Sequence, residues 1–220
     1  MRMFARILVL VPHADDGELG CGGTLAKMSS EGSRIYYAAF SRAARSLLEH
    51  GYRPDALEKE LMSAAAVLSS DQTGPADAID VRMFDYEVRT FSYHRQEILD
   101  DMIKLRQEIK PDLVLLPSLH DMHQDHGVIA AEGLRAFKHA TILAYEQPWN
   151  NASFSAAAFI RLTEEQVRKK IDALARYATQ REKDYFSADF IRGLARVRGV
   201  QAGAEYAEAF EVVRWLIDQL

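Results

Sequence analysis

The segment Ile7-Leu8-Val9-Leu10-Val11-Pro12-His13-Ala14-Asp15-Asp16-Gly17-Glu18-Leu19-Gly20-Cys21-Gly22-Gly23-Thr24-Leu25 decides how the rest of the chain is read. Five consecutive apolar residues, three of them β-branched, have the pattern of a strand covered on both faces. Pro12 stops the run. His13, Asp15 and Asp16 follow at once, and Gly20, Gly22 and Gly23 turn the chain towards a helix expected over 20–30, with Gly32 as its stop signal. The pattern is that of a buried strand delivering metal-ligand side chains at its C-terminal end.

A second segment repeats it. Residues 113–116 form an apolar run ended by Pro117, and His120-Asp121-Met122-His123-Gln124-Asp125-His126 comes next. Outward from these two stretches, strand patterns occur at 34–40 and 141–145, with weaker ones at 81–84 and 154–161. A helical apolar stripe follows Pro54 through Leu57, Leu61, Ala64, Ala65 and Leu68. Others are expected over 93–109, over 127–137, from the capping box Thr163-Glu164-Glu165-Gln166 to about 181, and over 187–200. Residues 41–52 read as an irregular loop beside the site, 71–80 as a loop containing Gly74 and Pro75, and 206–220 as either strand or helix.

Strands alternating with helices predict an α/β fold: a Rossmann-like, mainly parallel sheet with helices on both faces, forming one domain over 1–220. Such sheets bind ligands beyond the C-terminal strand ends, where the strand order reverses. Strands 7–11 and 113–116 as neighbours would bring both clusters to one crevice.

Bulk properties narrow the function. The net charge of −5, from 27 basic and 32 acidic residues, argues against nucleic acid, whose readers carry clustered positive charge. The arginines between Arg192 and Arg198 read as a solvated helix face. The single cysteine, Cys21, excludes an intrachain disulfide and reads as packing, not as a nucleophile. The apolar run after Arg6 is too short for a secretory signal and is followed by charged residues, not a cleavage site. No segment reaches the roughly 18 apolar residues of a membrane span. The expectation is a cytoplasmic protein; homo-oligomerisation stays open, with Tyr145-Glu146-Gln147-Pro148-Trp149 lining a cleft, a subunit contact or the core.

The clusters carry the chemistry. A catalytic zinc site takes three protein ligands and keeps an open position. His13 and Asp16 supply two; the third comes from the second cluster, with His126 favoured and His120 and His123 competing. Two imidazoles and a carboxylate suit Zn2+ or another first-row divalent ion. Asp15, beside a ligand but pointing elsewhere, suits a general base. His123 suits an oxyanion stabiliser, and Asp125 a carboxylate that orients a histidine. Arg89 is the candidate substrate contact. His50, His94 and His139 read as surface residues. The glycines do not form the Gly-x-Gly-x-x-Gly of dinucleotide sites, and no acidic residue follows the second strand as a ribose partner.

At these residues the chain resembles the PIG-L/LmbE-like de-N-acetylases. His13-Ala14-Asp15-Asp16-Gly17-Glu18-Leu19-Gly20-Cys21-Gly22-Gly23 is similar to the first family motif, His-Pro-Asp-Asp-Glu followed by a Gly-x-Gly-Gly turn, and His123-Gln124-Asp125-His126 matches the second, His-x-Asp-His. Glu60, residues 170–180 and Tyr206-Ala207-Glu208-Ala209-Phe210 also resemble family segments. Ala14 stands where proline is usual and Gly17 where glutamate often sits, with Glu18 one place later. That form resembles the bacillithiol-pathway deacetylases, which act on N-acetylglucosaminyl malate; residues 88–96 do not resemble that branch. The resemblance implies His13, Asp16 and His126 as metal ligands, Asp15 as base and His123 as oxyanion stabiliser. The implied reaction is hydrolytic removal of an N-acetyl group from an N-acetylglucosaminyl-type sugar by metal-activated water. The alternatives are an amidase of the same chemistry on another acyl amide, and a non-catalytic nucleotide-sugar-binding module.

Overall fold

Alternation along β1 (Arg6–Val11) sets the layers. Ile7, Val9 and Val11 enter one apolar cluster, and Leu8 and Leu10 enter the other. A strand buried on both faces must divide its side chains this way, because their period is two. The computed structural model describes residues 3–69 and 79–217. Around β1 stand β2 (Arg34–Ala39), β3 (Asp80–Met83), β4 (Leu113–Pro117), β5 (Thr141–Tyr145), β6 (Ala158–Leu162) and β7 (Tyr206–Arg214). They form one sheet in the order β3-β2-β1-β4-β5-β7-β6. The first five positions are parallel, while β7 runs antiparallel to both of its neighbours. The expected α/β, mainly parallel architecture is thus the observed one.

The helices are α1 (Asp16–Ser30), α2 (Ala44–Glu49), α3 (Ala56–Leu68), α4 (Arg95–Ile109), α5 (Gln124–Ala136), α6 (Glu164–Leu174) and α7 (Ala188–Gln201). Side chains of α1, α3 and α6 pack with Ile7, Val9 and Val11; those of α4 and α5 pack with Leu8 and Leu10. Helices therefore cover both faces. β1 and β4 are paired, and the strand order reverses between them. Both ligand clusters leave the sheet at that point, as open α/β sheets require.

Several boundaries differ from expectation. α1 begins at Asp16, four residues early, and breaks at Cys21 (φ −146°, ψ 21°). The break frees the amides of Gly23 and Thr24, which donate to the Glu208 carboxylate at 3.0 and 2.6 Å. A carboxylate at the start of the second helical segment suits the helix dipole. Lys170 balances it, with Nζ 2.6 Å from Glu208 in a pair buried at both ends. Gly20 is needed here because a Cβ at that position would run into the Tyr145 ring.

Residues 41–52 are not wholly irregular; they contain the short helix α2. α5 begins at Gln124, three residues early, so Asp125 and His126 lie in its first turn. α6 keeps its capping box but stops at Leu174 instead of about 181. The ambiguous tail is strand β7, whose first six residues are all buried. Most of the loop expected over 71–80 lies outside the described residues.

Candidate active site

Each ligand side chain is placed by the element that carries it. His13 follows β1, and its backbone N–H donates to Asp16 Oδ2 at 2.9 Å, closing a tight turn over Ala14 and Asp15. That turn is held from below by two tyrosines: the hydroxyls of Tyr37 and Tyr177 contact the Ala14 carbonyl at 2.9 and 2.8 Å. Gly17 must lack a side chain, since its Cβ would fall 2.5 Å from the Tyr37 ring. Opposite, His123 caps α5 and His126 sits one turn in, buried.

The two clusters meet. His13 Nδ1 lies 3.2 Å and His126 Nε2 3.3 Å from the same atom, Asp16 Oδ2. His13, Asp16 and His126 can each offer one ligand atom within 4.8 Å of the others. Each of the three has its remaining polar atom occupied. His13 Nε2 is 3.1 Å from Asp125, His126 Nδ1 is 2.8 Å from Asp121, and Asp16 Oδ1 accepts from Gln147 Nε2 at 2.9 Å. Outer contacts of this kind fix imidazole tautomers and ligand direction in metal sites. The donor set and its orientation fit a divalent first-row ion. His13, His123 and Asp125 also come close enough to form a second group, but Asp125 is already bound to His13.

Of the competing third ligands, His120 is exposed and stands outside both groups. His123 Nδ1 accepts the Asp125 N–H at 3.2 Å, which leaves Nε2–H as the free donor of the ring. Asp125 is fully buried and accepts from the backbone amides of Arg89 (2.6 Å) and Phe91 (3.4 Å). Two contributors escaped the sequence reading. Asp121 looked like one more acid in a cluster, and Gln147 lay in an aromatic-rich stretch. Nothing in their spacing reveals them; Asn151 fixes Gln147 by accepting its backbone N–H at 2.8 Å.

The electrostatics follow from burial and close charge. Burial disfavours the charged His13 ring, but hydrogen bonds to Asp125 and Asp16 outweigh it and raise its pKa to about 10. Burial would push the Asp16 carboxyl up, but the charge of His126 and the hydrogen bond with His13 hold it well below the usual range. The Asp15 carboxyl moves up, through burial first and the Asp16 charge second. Burial, then the charges of His126 and His13, lower His123 to about 4.

These groups open into a cleft of about 500 Å³. Asp15, Arg89, His123, Trp149, Lys183 and Tyr185 are among its walls. His50, expected simply at the surface, also reaches it, as does α2 through Ser46 and Leu47. A larger cavity, about 910 Å³, lies at the opposite end of the sheet between Arg6, Lys110 and Trp215. None of the clustered His and Asp side chains lines it, so the smaller cleft is the candidate site.

The family model described as GlcNAc-PI de-N-acetylase, PIG-L, matches residues 8–137, which include both ligand clusters. The chain belongs to the PIG-L family. A curated relative, the uncharacterised deacetylase YaiS of Escherichia coli K12, is 28% identical over 174 residues, covering 78% of this chain and 89% of YaiS. Among solved structures, the N,N'-diacetylchitobiose deacetylase of Pyrococcus horikoshii aligns with a TM-score of 0.74 at 18% identity, over 96% of this chain and 84% of that one. GalB of Pseudomonas putida, a 4-carboxy-2-hydroxymuconate hydratase, aligns with a TM-score of 0.78 at 21% identity, over 98% and 99%. A deacetylase and a hydratase share this fold, so the fold alone does not select the chemistry. Among the described residues no helix is long and apolar enough to cross a membrane.

Proposed function

We propose that this PIG-L family member is a metal-dependent deacetylase that hydrolyses the N-acetyl group of an N-acetylglucosamine-type sugar or glycoconjugate. The observation that carries the reading is the convergence of His13 Nδ1, Asp16 Oδ2 and His126 Nε2, with a fourth polar side chain, Asp15, free beside them on the cleft wall. The family's activity and that of the chitobiose deacetylase support the same reaction.

His13, Asp16 and His126 would hold the ion, for which Zn2+ is the proposed identity. Such an ion supplies Lewis acidity and makes water acidic enough to ionise near neutral pH. Asp15 removes a proton from the attacking water, whose oxygen adds to the acetyl carbon. His123 donates from Nε2 to the developing oxyanion; the bond that Nδ1 accepts from Asp125 N fixes that tautomer. Asp15 then returns the proton to the sugar nitrogen as the C–N bond breaks, giving acetate and a free amine. Asp125, Asp121 and Gln147 act through the groups they orient. A neutral His123 at physiological pH, which its lowered pKa provides, suits a donor that must not also compete as a cation for water. A cytoplasmic site of action completes the proposal.

The test is acetate release from N-acetylglucosamine, its nucleotide-diphosphate form, its disaccharide and its malate glycoside, before and after chelation and zinc return. Release that stops with chelator and resumes with metal is expected from at least one. A metal-loaded protein that releases acetate from none of them, or chelator-resistant release, would overturn the reading.

A further inference from the structure

The cavity of about 910 Å³ at the far end of the sheet lies apart from the candidate metal ligands, where β1, β4 and β5 begin and β7 ends. Its walls are largely apolar. Phe137 is buried and Phe4 half-buried, while Trp215, Leu216 and Ile217 are large apolar side chains that the protein leaves exposed. Single exposed apolar residues are ordinary, but a contiguous group around a hollow marks a binding surface. The wall is also fixed. Trp215 meets Phe4 edge to face at 6.1 Å, and the Leu216 N–H donates to Thr141 Oγ1 at 3.2 Å.

Three cations converge on this hollow: Arg6 at the start of β1, Arg106 in the last turn of α4, and Lys110, which caps α4. One N–H of each guanidinium is already committed. Arg6 Nε donates to the Lys110 carbonyl and Arg106 Nη1 to the Ala136 carbonyl, both at 2.7 Å. Those bonds hold the two groups in place. Their other N–H groups and the Lys110 ammonium have no hydrogen-bond or ion-pair partner among the described residues. Lys110 is fixed through its backbone, at φ 50° with its N–H on the Arg106 carbonyl at 2.9 Å. The carboxylate on the wall, Asp112, is engaged at both oxygens, by the backbone amides of Ala5 (2.9 Å) and Arg6 (3.0 Å). Three cations against one carboxylate leave a local positive excess in a chain whose net charge is −5.

We infer that this cavity is a second ligand site, separate from the candidate active site, and that it takes a single amphipathic anion: an anionic head on an aliphatic body. Guanidinium N–H groups that are already positioned match a carboxylate head, and the Lys110 ammonium adds a point charge. Phe4, Phe137, Trp215, Leu216 and Ile217 take the aliphatic body out of water. The volume lies within the range of about 300–1,000 Å³ usual for small-molecule sites. Its concavity favours one enclosed molecule over a bilayer, whose surface does not follow a hollow. The inference stands on this end of the sheet alone and does not depend on the deacetylase reading.

Calorimetric titration of the zinc-loaded protein would compare octanoate with octan-1-ol, which lacks the charge, and with acetate, which lacks the chain and accounts for carboxylate binding at the metal. Octanoate should bind about tenfold or more tightly than either, as hydrogen bonds to a charged head imply. It should also shift tryptophan fluorescence, and the shift should vanish in Trp215→Phe, whose remaining tryptophan, Trp149, lies in the other cleft. Arg106→Gln and Lys110→Gln should each weaken octanoate several-fold and leave octan-1-ol unchanged; added salt should act in the same direction. Octanoate that binds no better than octan-1-ol or acetate, an affinity that survives both substitutions, or a shift that persists in Trp215→Phe would overturn the site. Binding confined to phosphatidylglycerol vesicles would also overturn it and make this end a membrane contact. So would a dimer in sedimentation that Ile217→Glu dissolves while octanoate does not bind, which would make it a subunit contact.

Discussion

At the scale of single residues, the candidate site is a set of three potential ligands whose second polar atoms are all engaged. Gln147→Leu keeps the volume but removes the donor on Asp16 Oδ1, so Zn2+ affinity should fall about 10–100-fold with an unchanged circular dichroism spectrum. Competition titration with a chromophoric chelator reads this without reference to activity. Asp15→Asn should bind metal as the parent does and lose about 10²–10⁴ in kcat, the range of a lost general base. Near-parental turnover in that variant would remove Asp15 from its role. Glu18 tests the electrostatics beneath the turn. The Tyr37 hydroxyl has one hydrogen, yet it contacts both the Ala14 carbonyl (2.9 Å) and Glu18 Oε2 (2.5 Å). Both bonds form if Tyr37 donates to the carbonyl and a neutral Glu18 donates to Tyr37. Burial raises the Glu18 pKa from 4.5 to about 8, in agreement. The folded state then holds a proton that the unfolded state releases, so stability falls as pH rises from 4.5 to about 8, by up to about 1.4 kcal/mol per unit. Glu18→Gln should flatten the plot of Tm against pH over that window; an unchanged slope would mean an ionised Glu18. The His-x-Asp-Asp and His-x-Asp-His groups were legible because their members are close in sequence. Gln147 and Lys183 were not, because only tertiary structure carries Gln147 to Asp16 and Lys183 to the cleft.

At the scale of elements, α1 shows why the glycines stand where they do. Its first segment presents Asp16 to the site. Its second, restarted after Cys21, is held at its N-terminus by Glu208 from β7. Gly20→Ala drives a methyl group into Tyr145, a core ring whose hydroxyl donates to the Leu10 carbonyl of β1 at 3.2 Å. Overpacking of that kind costs about 1–3 kcal/mol, and thermal denaturation should show it as a lowered Tm. Glu208→Ala should cost more, about 3–5 kcal/mol, because Lys170 is left buried without a partner. A tolerated Glu208→Ala would show that the kink needs no cap. The expected start of this helix at Gly20 coincides with the break, since the glycine signal marks the restart, not the beginning. The overlong reading of α6 has a different cause. Helical propensity continues past Leu174, but Tyr177 must reach the Ala14 carbonyl and Thr179 must meet Glu60, and a straight helix could not serve both. β7 hid its character because a strand buried at six consecutive positions loses the alternation that identifies strands.

Across the whole molecule, the candidate centre joins parts of the chain that are remote in sequence. His13 and Asp16 follow β1, His126 belongs to α5 after β4, and Gln147, which steadies Asp16, follows β5. The match to the family model ends at residue 137, yet Trp149 and Lys183 lie beyond it, so the remaining chain completes the cleft as well as the sheet. An ion held at the junction of β1 and β4 binds only the assembled sheet, and its binding energy adds to folding. At a free concentration about 1,000 times Kd this amounts to about 4 kcal/mol. For a chain of this size the expected rise in Tm is about 8–16 °C. His126→Ala should abolish most of that rise, since it removes a ligand from the side opposite β1. The metal-free protein adds a pH signature. With His13 held protonated up to about pH 10 by Asp125 and Asp16, metal must displace a proton, so affinity should climb as pH rises below that value. Calorimetry in buffers of different ionisation enthalpy counts the protons released. Differential scanning calorimetry with and without Zn2+ decides the larger point: one transition that moves as a unit is expected, because the candidate ligands leave the sheet just beyond its central strands β1 and β4. A transition unmoved by metal, or an undiminished shift in His126→Ala, would place the ion elsewhere and dismantle the centre.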